Sequence, residues 1–321
     1  MGRIRWPGDL NDMLFLLKKI IPRPFFRALQ PAYHFILAFW AAFFYGFPSR
    51  RLIVIGVTGT KGKTTVIELL HEILEEKGAK VASLSSLRFR VGGDILPNDQ
   101  KMTMPGRMFV QKFLYRAAEK KCRYAVLEVT SEGIKQFRHR FINFDVVVMT
   151  NVAPEHVEAH GSFEKYLRAK LDLFWRLPPE GLAIINRDDP NWQRCPASTS
   201  AHRMFYGPDG IEVSARSWGT RDIAIGEGGI SFDLDGVSFT SPLLGRFNFY
   251  NILAAVAVGL SQHFEPELMA KAVGRIAGIP GRMEFIQHEP LAVVVDYAHT
   301  PDSLREAYRT LQEFKKFKSL K

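Results

Sequence analysis

The chain has 321 residues, long enough for two domains; 46% are hydrophobic and 24% charged, the balance of a folded globular protein rather than a disordered one. Its two cysteines, Cys122 and Cys195, form no CxxC pair, which excludes a disulfide framework and a cysteine-built zinc site and fits a reducing compartment. The net charge of +10 gathers at the ends: residues 1–50 carry seven basic and two acidic side chains, and residues 305–321 carry six and two. A basic balance favours polyanionic partners without choosing among nucleotides, nucleic acids and anionic lipid.

Residues 1–50 hold 12 aromatics, and no charged side chain occurs from 28 to 49, a run bracketed by Arg27 and Arg50. Pro31, His34 and Pro48 interrupt it, leaving 32–47 as the apolar stretch, short of the roughly 20 residues a spanning helix needs. The run starts late and no small-residue cleavage site follows, unlike a secretory signal. A buried helix packed on the neighbouring domain, an interfacial membrane helix and a membrane span all remain open.

Residues 51–57 (RLIVIGV) form a β-branched run expected of a strand buried on both faces. It leads into Thr58-Gly59-Thr60-Lys61-Gly62-Lys63-Thr64-Thr65, after which Val66, Ile67, Leu70, Ile73 and Leu74 recur at helical spacing up to Gly78. Strand, glycine loop and helix start form a phosphate-binding P-loop, in which backbone N–H groups and the positive helix end converge on an anion. Lys63 would neutralise terminal phosphate oxygens and the Thr64 hydroxyl would ligate Mg²⁺. The loop is a variant: Val57 holds the position of the first P-loop glycine, with glycines at 56 and 59 instead.

Further strands are expected at 80–84, 123–129, 144–150 and 181–186, with helices at 107–120 and 162–177. Alternation of this kind implies an α/β fold, a mostly parallel sheet with helices on both faces and a ligand site at the carboxyl ends of the strands. Residues 211–242 read as a small β-hairpin appendage. Helices at 248–263 and 266–275, a buried strand at 291–296 and a helix at 301–314 complete the chain, with no internal repeat.

Glu128 ends a buried strand, where a carboxylate could hold a metal beside the loop. His156 and His160 stand four apart, a spacing that suits metal ligation on a helix, but no third zinc-like ligand follows. Lys170 lies beside the apolar stripe Tyr166, Leu167, Leu171 and Phe174, the usual place of a snorkelling lysine. Taken alone, these residues describe an α/β protein that binds a Mg-nucleotide.

Seven segments in order, GVTGTKGKTT, TMPGRMFVQ, LEVTSEGIKQFRHR, TNVAPEHVEAHGSFEKYLRAKLDLF, GRFNFYNILAA, PGRMEFI and VDYAHTPDSL, resemble the Mur ligase family. They look most similar to the members that add diaminopimelate or lysine to UDP-N-acetylmuramoyl-L-alanyl-D-glutamate. The resemblance implies an ATP-dependent amide ligase of peptidoglycan precursor synthesis, working through an acyl phosphate, with ATP and Mg²⁺ required. It implies ATP contacts from residues 58–65, Asn248, Asn251 and Arg282, with Asp296 near the ribose. Metal ligands would be Thr64, Glu128, His156 and Lys170, the last as a carbamate. The catalytic set would be Lys63, Lys170, His156 and Glu128, and Thr103, Met104, Thr130, Gln136 and Arg138 would hold the UDP-MurNAc-dipeptide.

Met104 and Glu132 stand where relatives usually carry Thr and His. The domain division expected is an aromatic-rich segment at 1–50, an ATP-binding central domain at 51–283, and the start of a truncated C-terminal ligase domain at 284–321. No Asp-Asn-Pro-Arg motif, which reads the incoming amino acid in diaminopimelate-adding members, is present. The expectation is therefore a chain that binds Mg-ATP but is weak or inactive alone. It would be a cytoplasmic monomer without nucleic-acid partners, a peripheral membrane contact through residues 28–49 being left open. A folylpolyglutamate synthetase-like ligase and a non-catalytic nucleotide-binding or membrane-associated module are the alternatives.

Overall fold

The computed structural model describes residues 23–100, 102–154, 160–214, 216–287 and 289–313. A first helix, α1 (Arg23–Phe44), precedes a short 3-10 turn and then β1 (Ile53–Thr58) and α2 (Lys63–Glu76). There follow β2 (Val81–Leu84), β3 (Arg88–Val91), β4 (Asp94–Pro97), α3 (Arg107–Glu119), β5 (Tyr124–Glu128), α4 (Ser131–Lys135) and β6 (Val146–Met149). After them come α5 (Phe163–Trp175), β7 (Leu182–Asn186), β8 (His202–Gly207), β9 (Gly210–Val213), β10 (Arg216–Gly226), β11 (Gly229–Leu234) and β12 (Val237–Ser241). The chain closes with α6 (Arg246–Ser261), α7 (Pro266–Arg275), β13 (Glu284–Gln287), β14 (Val293–Val295) and α8 (Pro301–Gln312).

Among the described residues, β1 to β12 join in one sheet of order β12-β11-β10-β9-β8-β7-β6-β1-β5-β2-β3-β4. Its centre, from β8 through β1 to β2, is parallel. Antiparallel strands extend both edges. The hairpins read from the sequence are therefore fused edge-on to the main sheet. The β3–β4 hairpin went unread because RFRVGGDILP mixes buried and charged positions.

Strand periodicity sorts the two cores. Ile55, Val57, Tyr124, Val126, Val146 and Val148 face one side, where α2, α6 and α7 pack. Their neighbours Val54, Ala125, Leu127, Val147 and Met149 face the other, against α3 and α5. The unbroken β-branched runs follow from this double coverage. Gly56 resolves the variant loop pattern: a Cβ there would stand 2.8 Å from the Phe144 ring, so this glycine serves packing below the loop.

One expectation needs correction. The segment at 291–296 is not a buried strand: among the described residues β14 pairs only with β13, and both its outer valines are exposed. Its hydrophobicity instead feeds a small cluster in which Val294, Phe285, Ala307 and Leu311 cover Leu244 and Met283. The N-terminal run forms α1, which packs Ala38, Ala41 and Ala42 inward next to α3. No helix among the described residues is long and apolar enough to cross a membrane.

Candidate functional site

The loops that leave β1, β2, β5, β6 and β7 at their carboxyl ends surround a cavity of about 760 Å³, which the segment after β14 closes from above. β1 is the strand from which the sheet grows both ways, toward β6 and toward β5, which is where an open α/β sheet leaves a crevice.

The β1–α2 loop is held open by its neighbours. Asn151 binds it twice: its Oδ1 accepts from the Lys61 N–H at 3.0 Å and its Nδ2 donates to the Lys61 carbonyl at 3.0 Å. The Thr150 hydroxyl donates to the same carbonyl at 2.6 Å. Thr60 Oγ1 accepts from the Ala153 N–H at 3.0 Å and lies 2.9 Å from the Tyr166 hydroxyl. Gly62, at φ 84°, caps α2 without a side chain, and a Cβ on it would run into Asn251 Oδ1. The first N–H groups of α2 thus face the cavity. Lys63 folds back over the loop, donating from Nζ to the carbonyls of Gly59 (3.1 Å) and Thr60 (2.9 Å).

Glu128, at the end of β5, is buried, and its Oε2 accepts from the Ser86 N–H at 2.8 Å and the Thr64 hydroxyl at 3.2 Å. Burial pushes its pKa up, while Lys63, the Ser86 and Thr64 hydrogen bonds and Arg282 pull it down. Thr64 Oγ1 also lies 2.8 Å from Ser86 Oγ and accepts from Arg282 Nη2 at 3.4 Å. Thr64 and Ser86 thus set two hydroxyl oxygens beside the buried Glu128 carboxylate, an all-oxygen set that fits a hard cation such as Mg²⁺ better than zinc. Among the described residues no three His, Cys, Asp or Glu side chains converge as a metal site. His156 lies outside the described residues. His160 Nε2 lies 3.1 Å from Ser131 Oγ.

Lys170 is only 1% exposed, so it does not snorkel. Its Nζ donates to the Gly59 carbonyl at 2.7 Å and sits 4.6 Å from the centre of the Tyr166 ring. This lysine therefore points from α5 into the underside of the loop.

The other expected residues divide. Residues 59–65, Asn251, Arg282 and Asp296 line the cavity, as do Thr103, Met104, Thr130 and Arg138. Thr58 is buried at the end of β1, and Asn248 stands behind Asn251, accepting from its Nδ2 at 2.9 Å. Gln136 lies outside the lining and accepts from Arg138 at 2.7 Å, which also donates to the Met104 carbonyl. Asp296 accepts from the N–H groups of Met283 (2.8 Å) and Ala298 (2.7 Å), so its carboxylate shapes the turn that carries Arg282 and Tyr297. The Arg282 guanidinium stacks 4.5 Å from the Tyr297 ring.

The Mur ligase middle domain model matches residues 57–259, and the Mur ligase glutamate ligase domain model matches residues 281–320. The chain belongs to the Mur ligase family. It is 36% identical over 297 residues to the UDP-N-acetylmuramoyl-L-alanyl-D-glutamate--2,6-diaminopimelate ligase of Syntrophomonas wolfei, covering 87% of this chain and 58% of that protein. It is 34% identical to the ligase of the same name from Chlamydia felis, over 91% and 61% of the two chains. A solved structure of such a ligase superposes with a TM-score of 0.68 at 30% identity, over 82% of this chain and 54% of the other. Folylpolyglutamate synthetase from Lactobacillus casei shares the fold, with a TM-score of 0.66 at 16% identity and coverage of 87% and 76%. The chain thus spans somewhat over half the length of these diaminopimelate-ligase relatives.

Within this Mur ligase fold, three contributors went unread in the sequence. Ser86 meets both Thr64 and Glu128, yet nothing in SLSSLRF marks it except its place just past the carboxyl end of β2. Asn151 clamps the loop from within TNVAPEH, a segment read for its histidine. Tyr166 was read as a core residue, whereas its hydroxyl reaches Thr60.

Proposed function

We propose that this chain carries the ATP-binding and acceptor-activating part of an ATP-dependent amide ligase of peptidoglycan precursor synthesis. The acceptor would be UDP-MurNAc-L-Ala-D-Glu and the incoming amine a free amino acid, after the printed names of the relatives. The observation that carries the reading is one cavity into which the Gly59–Thr65 loop, the buried Glu128 and the inward-turned Lys170 all open.

In this reading the N–H groups at the start of α2 and the Lys63 ammonium bind the terminal phosphates. Lys63 exchanges its loop carbonyls for phosphate oxygens, and Arg282 approaches from the opposite wall. Thr64 and Glu128, with Ser86 beside them and His156, would hold Mg²⁺, which would offset the phosphate charge when bound. Lys170, as a carbamate, would add an anionic oxygen donor under the loop. That adduct forms when the neutral amine bonds to the carbon of CO₂ and loses a proton. Thr103, Thr130 and Arg138 would orient the acceptor, Arg138 by charge.

The acceptor carboxylate attacks the γ-phosphorus of ATP, the bond to the bridging oxygen breaks, and ADP leaves. The amine then attacks the acyl carbon of the resulting acyl phosphate, inorganic phosphate leaves, and the nitrogen loses a proton. Activation is required because carboxylate and ammonium do not condense in water. Asn251, packed on Gly62, keeps the loop in the conformation this alignment needs. We place the reaction in the cytoplasm, with the chain a monomer and nucleic acid no partner.

Hydroxylamine trapping tests the acyl-phosphate half without depending on amine recognition. Purified chain with Mg-ATP and UDP-MurNAc-L-Ala-D-Glu should release ADP and yield the acceptor hydroxamate, detected by mass spectrometry. Binding of a folate substrate in isothermal titration, with no heat from the UDP-MurNAc-dipeptide, would move the assignment to the folylpolyglutamate branch.

A further inference from the structure

The helix α1 is inside out for a protein surface. Its inner face is made of the small residues Ala38, Ala41 and Ala42, all buried, which let its backbone approach the domain closely. Its outer face carries the large ones: Leu29, Ile36, Trp40, Phe43 and Phe44 are 55%, 53%, 57%, 56% and 72% exposed. A surface helix normally turns its polar residues outward, and a contiguous bulky apolar face on the exterior marks a contact surface. No charged side chain interrupts it from 28 to the end of the helix.

The surroundings indicate what covers that face. From 13 to 67 the sequence contains no Asp or Glu, while Lys18, Lys19, Arg23 and Arg27 precede the helix core and Arg50 and Arg51 follow it, Arg51 being paired with Glu119 at 3.3 Å. Arg50 is exposed and lies over the Phe47 ring at 4.7 Å, next to the outer face. An aromatic band flanked by basic residues complements an anionic lipid surface: rings enter the headgroup boundary while basic side chains such as Arg50 meet phosphates. No described helix is fit to cross a membrane, so α1 would lie along the surface. A second copy fits less well, because pairing two such helices brings their basic ends together.

We propose that the outer face of α1 docks this protein on an anionic lipid bilayer. The contact has a direct bearing on the cavity. Phe35 packs on Phe137 and Phe141, with ring centres 6.4 and 5.1 Å apart, and His34 Nδ1 lies 2.6 Å from an Arg107 nitrogen that donates to the Gln136 carbonyl at 2.6 Å. The docked helix therefore rests on the segment that carries Arg138, a residue of the cavity lining.

Vesicle flotation of the full chain tests this. The chain should float with phosphatidylcholine vesicles containing phosphatidylglycerol and stay down with phosphatidylcholine alone, and added salt should weaken the association. The double variant Trp40→Glu, Phe43→Glu should lower the bound fraction about tenfold while keeping the melting temperature. Should that variant fail to fold, brominated phospholipids provide the readout: they should quench tryptophan emission of the unaltered chain, and much less in Trp40→Phe. The proposal fails if the chain does not float, or if the charged variant floats equally well. It fails likewise if sedimentation shows a concentration-dependent dimer through α1, or if residues 1–22 cover the face and keep vesicles off.

Discussion

Lys63, Gly62 and Glu128 show how much a single side chain decides at this site. Gly62 must adopt φ 84°, and any Cβ there meets the Asn251 amide. Gly62→Ala should therefore combine left-handed strain of about 1–3 kcal/mol with displacement of Asn251. Differential scanning fluorimetry should show a lower melting temperature and no Mg-ATP shift; an intact shift would mean that the loop geometry is not needed for binding. Lys63→Ala removes a cation without touching the sheet. Acceptor-dependent ADP release should fall by about a hundredfold or more, with an unchanged circular dichroism spectrum. Glu128 belongs to the same scale: its burial is unfavourable for a carboxylate, which a divalent cation at Thr64 and Ser86 would relieve.

At the scale of elements, α2 and the β2–β3 turn hold the site from behind. Glu68 on α2 accepts from Arg88 Nε at 2.9 Å, is paired with Arg90 as well, and accepts from Ser85 Oγ at 3.4 Å. That carboxylate keeps the turn in place so that Ser86 can reach Glu128. Glu68→Gln leaves a buried Arg90 with a weakened partner set and should cost on the order of 3 kcal/mol, read as a lower urea midpoint. One helical turn on, His71 is buried beside the same arginines, and burial first, then Arg90 and Arg88, depress its pKa to about 3. Its 3.3 Å contact with Glu75 is thus made by a neutral imidazole at physiological pH. The unfolded chain binds a proton there near the ordinary histidine value of 6.5 and the folded chain does not until about 3. The stability His71 contributes is therefore complete above about pH 6.5 and is lost as pH falls toward 3. His71→Gln should flatten the acid side of the stability profile by up to about 1.4 kcal/mol per pH unit; an unchanged profile in urea titrations at several pH values would contradict this.

For the whole molecule, the cavity exists only once five loops and the segment around Arg282 have come together. A ligand that needs all of them binds only the folded state. Mg-ATP at a hundred times its Kd should then stabilise the chain by about 2.7 kcal/mol, and the stabilisation should vanish in Lys63→Ala. A denaturation midpoint that ignored Mg-ATP would speak against a preformed triphosphate site.

Local chemistry sufficed for the parallel centre of the fold and for the phosphate loop. Residues 51–57 announce a doubly covered strand by β-branching, and the glycines, Lys63 and Thr64 follow directly on it. These are near-neighbour features, set by backbone sterics and hydrophobic period, so they survive in one dimension. Contacts between distant loops do not. Ser86 meeting Glu128 (2.8 Å), Asn151 clamping Lys61 (3.0 Å) and Lys170 reaching Gly59 (2.7 Å) span 42, 90 and 111 residues. The fate of the aromatic N-terminus was equally hidden, because apolar side chains read the same whether a helix turns them in or out. The sequence by itself determined which elements form and what the glycine loop can bind. Tertiary packing alone decided which oxygens share a buried carboxylate and which face of α1 meets the outside, since burial belongs to the assembled sheet and not to any single segment.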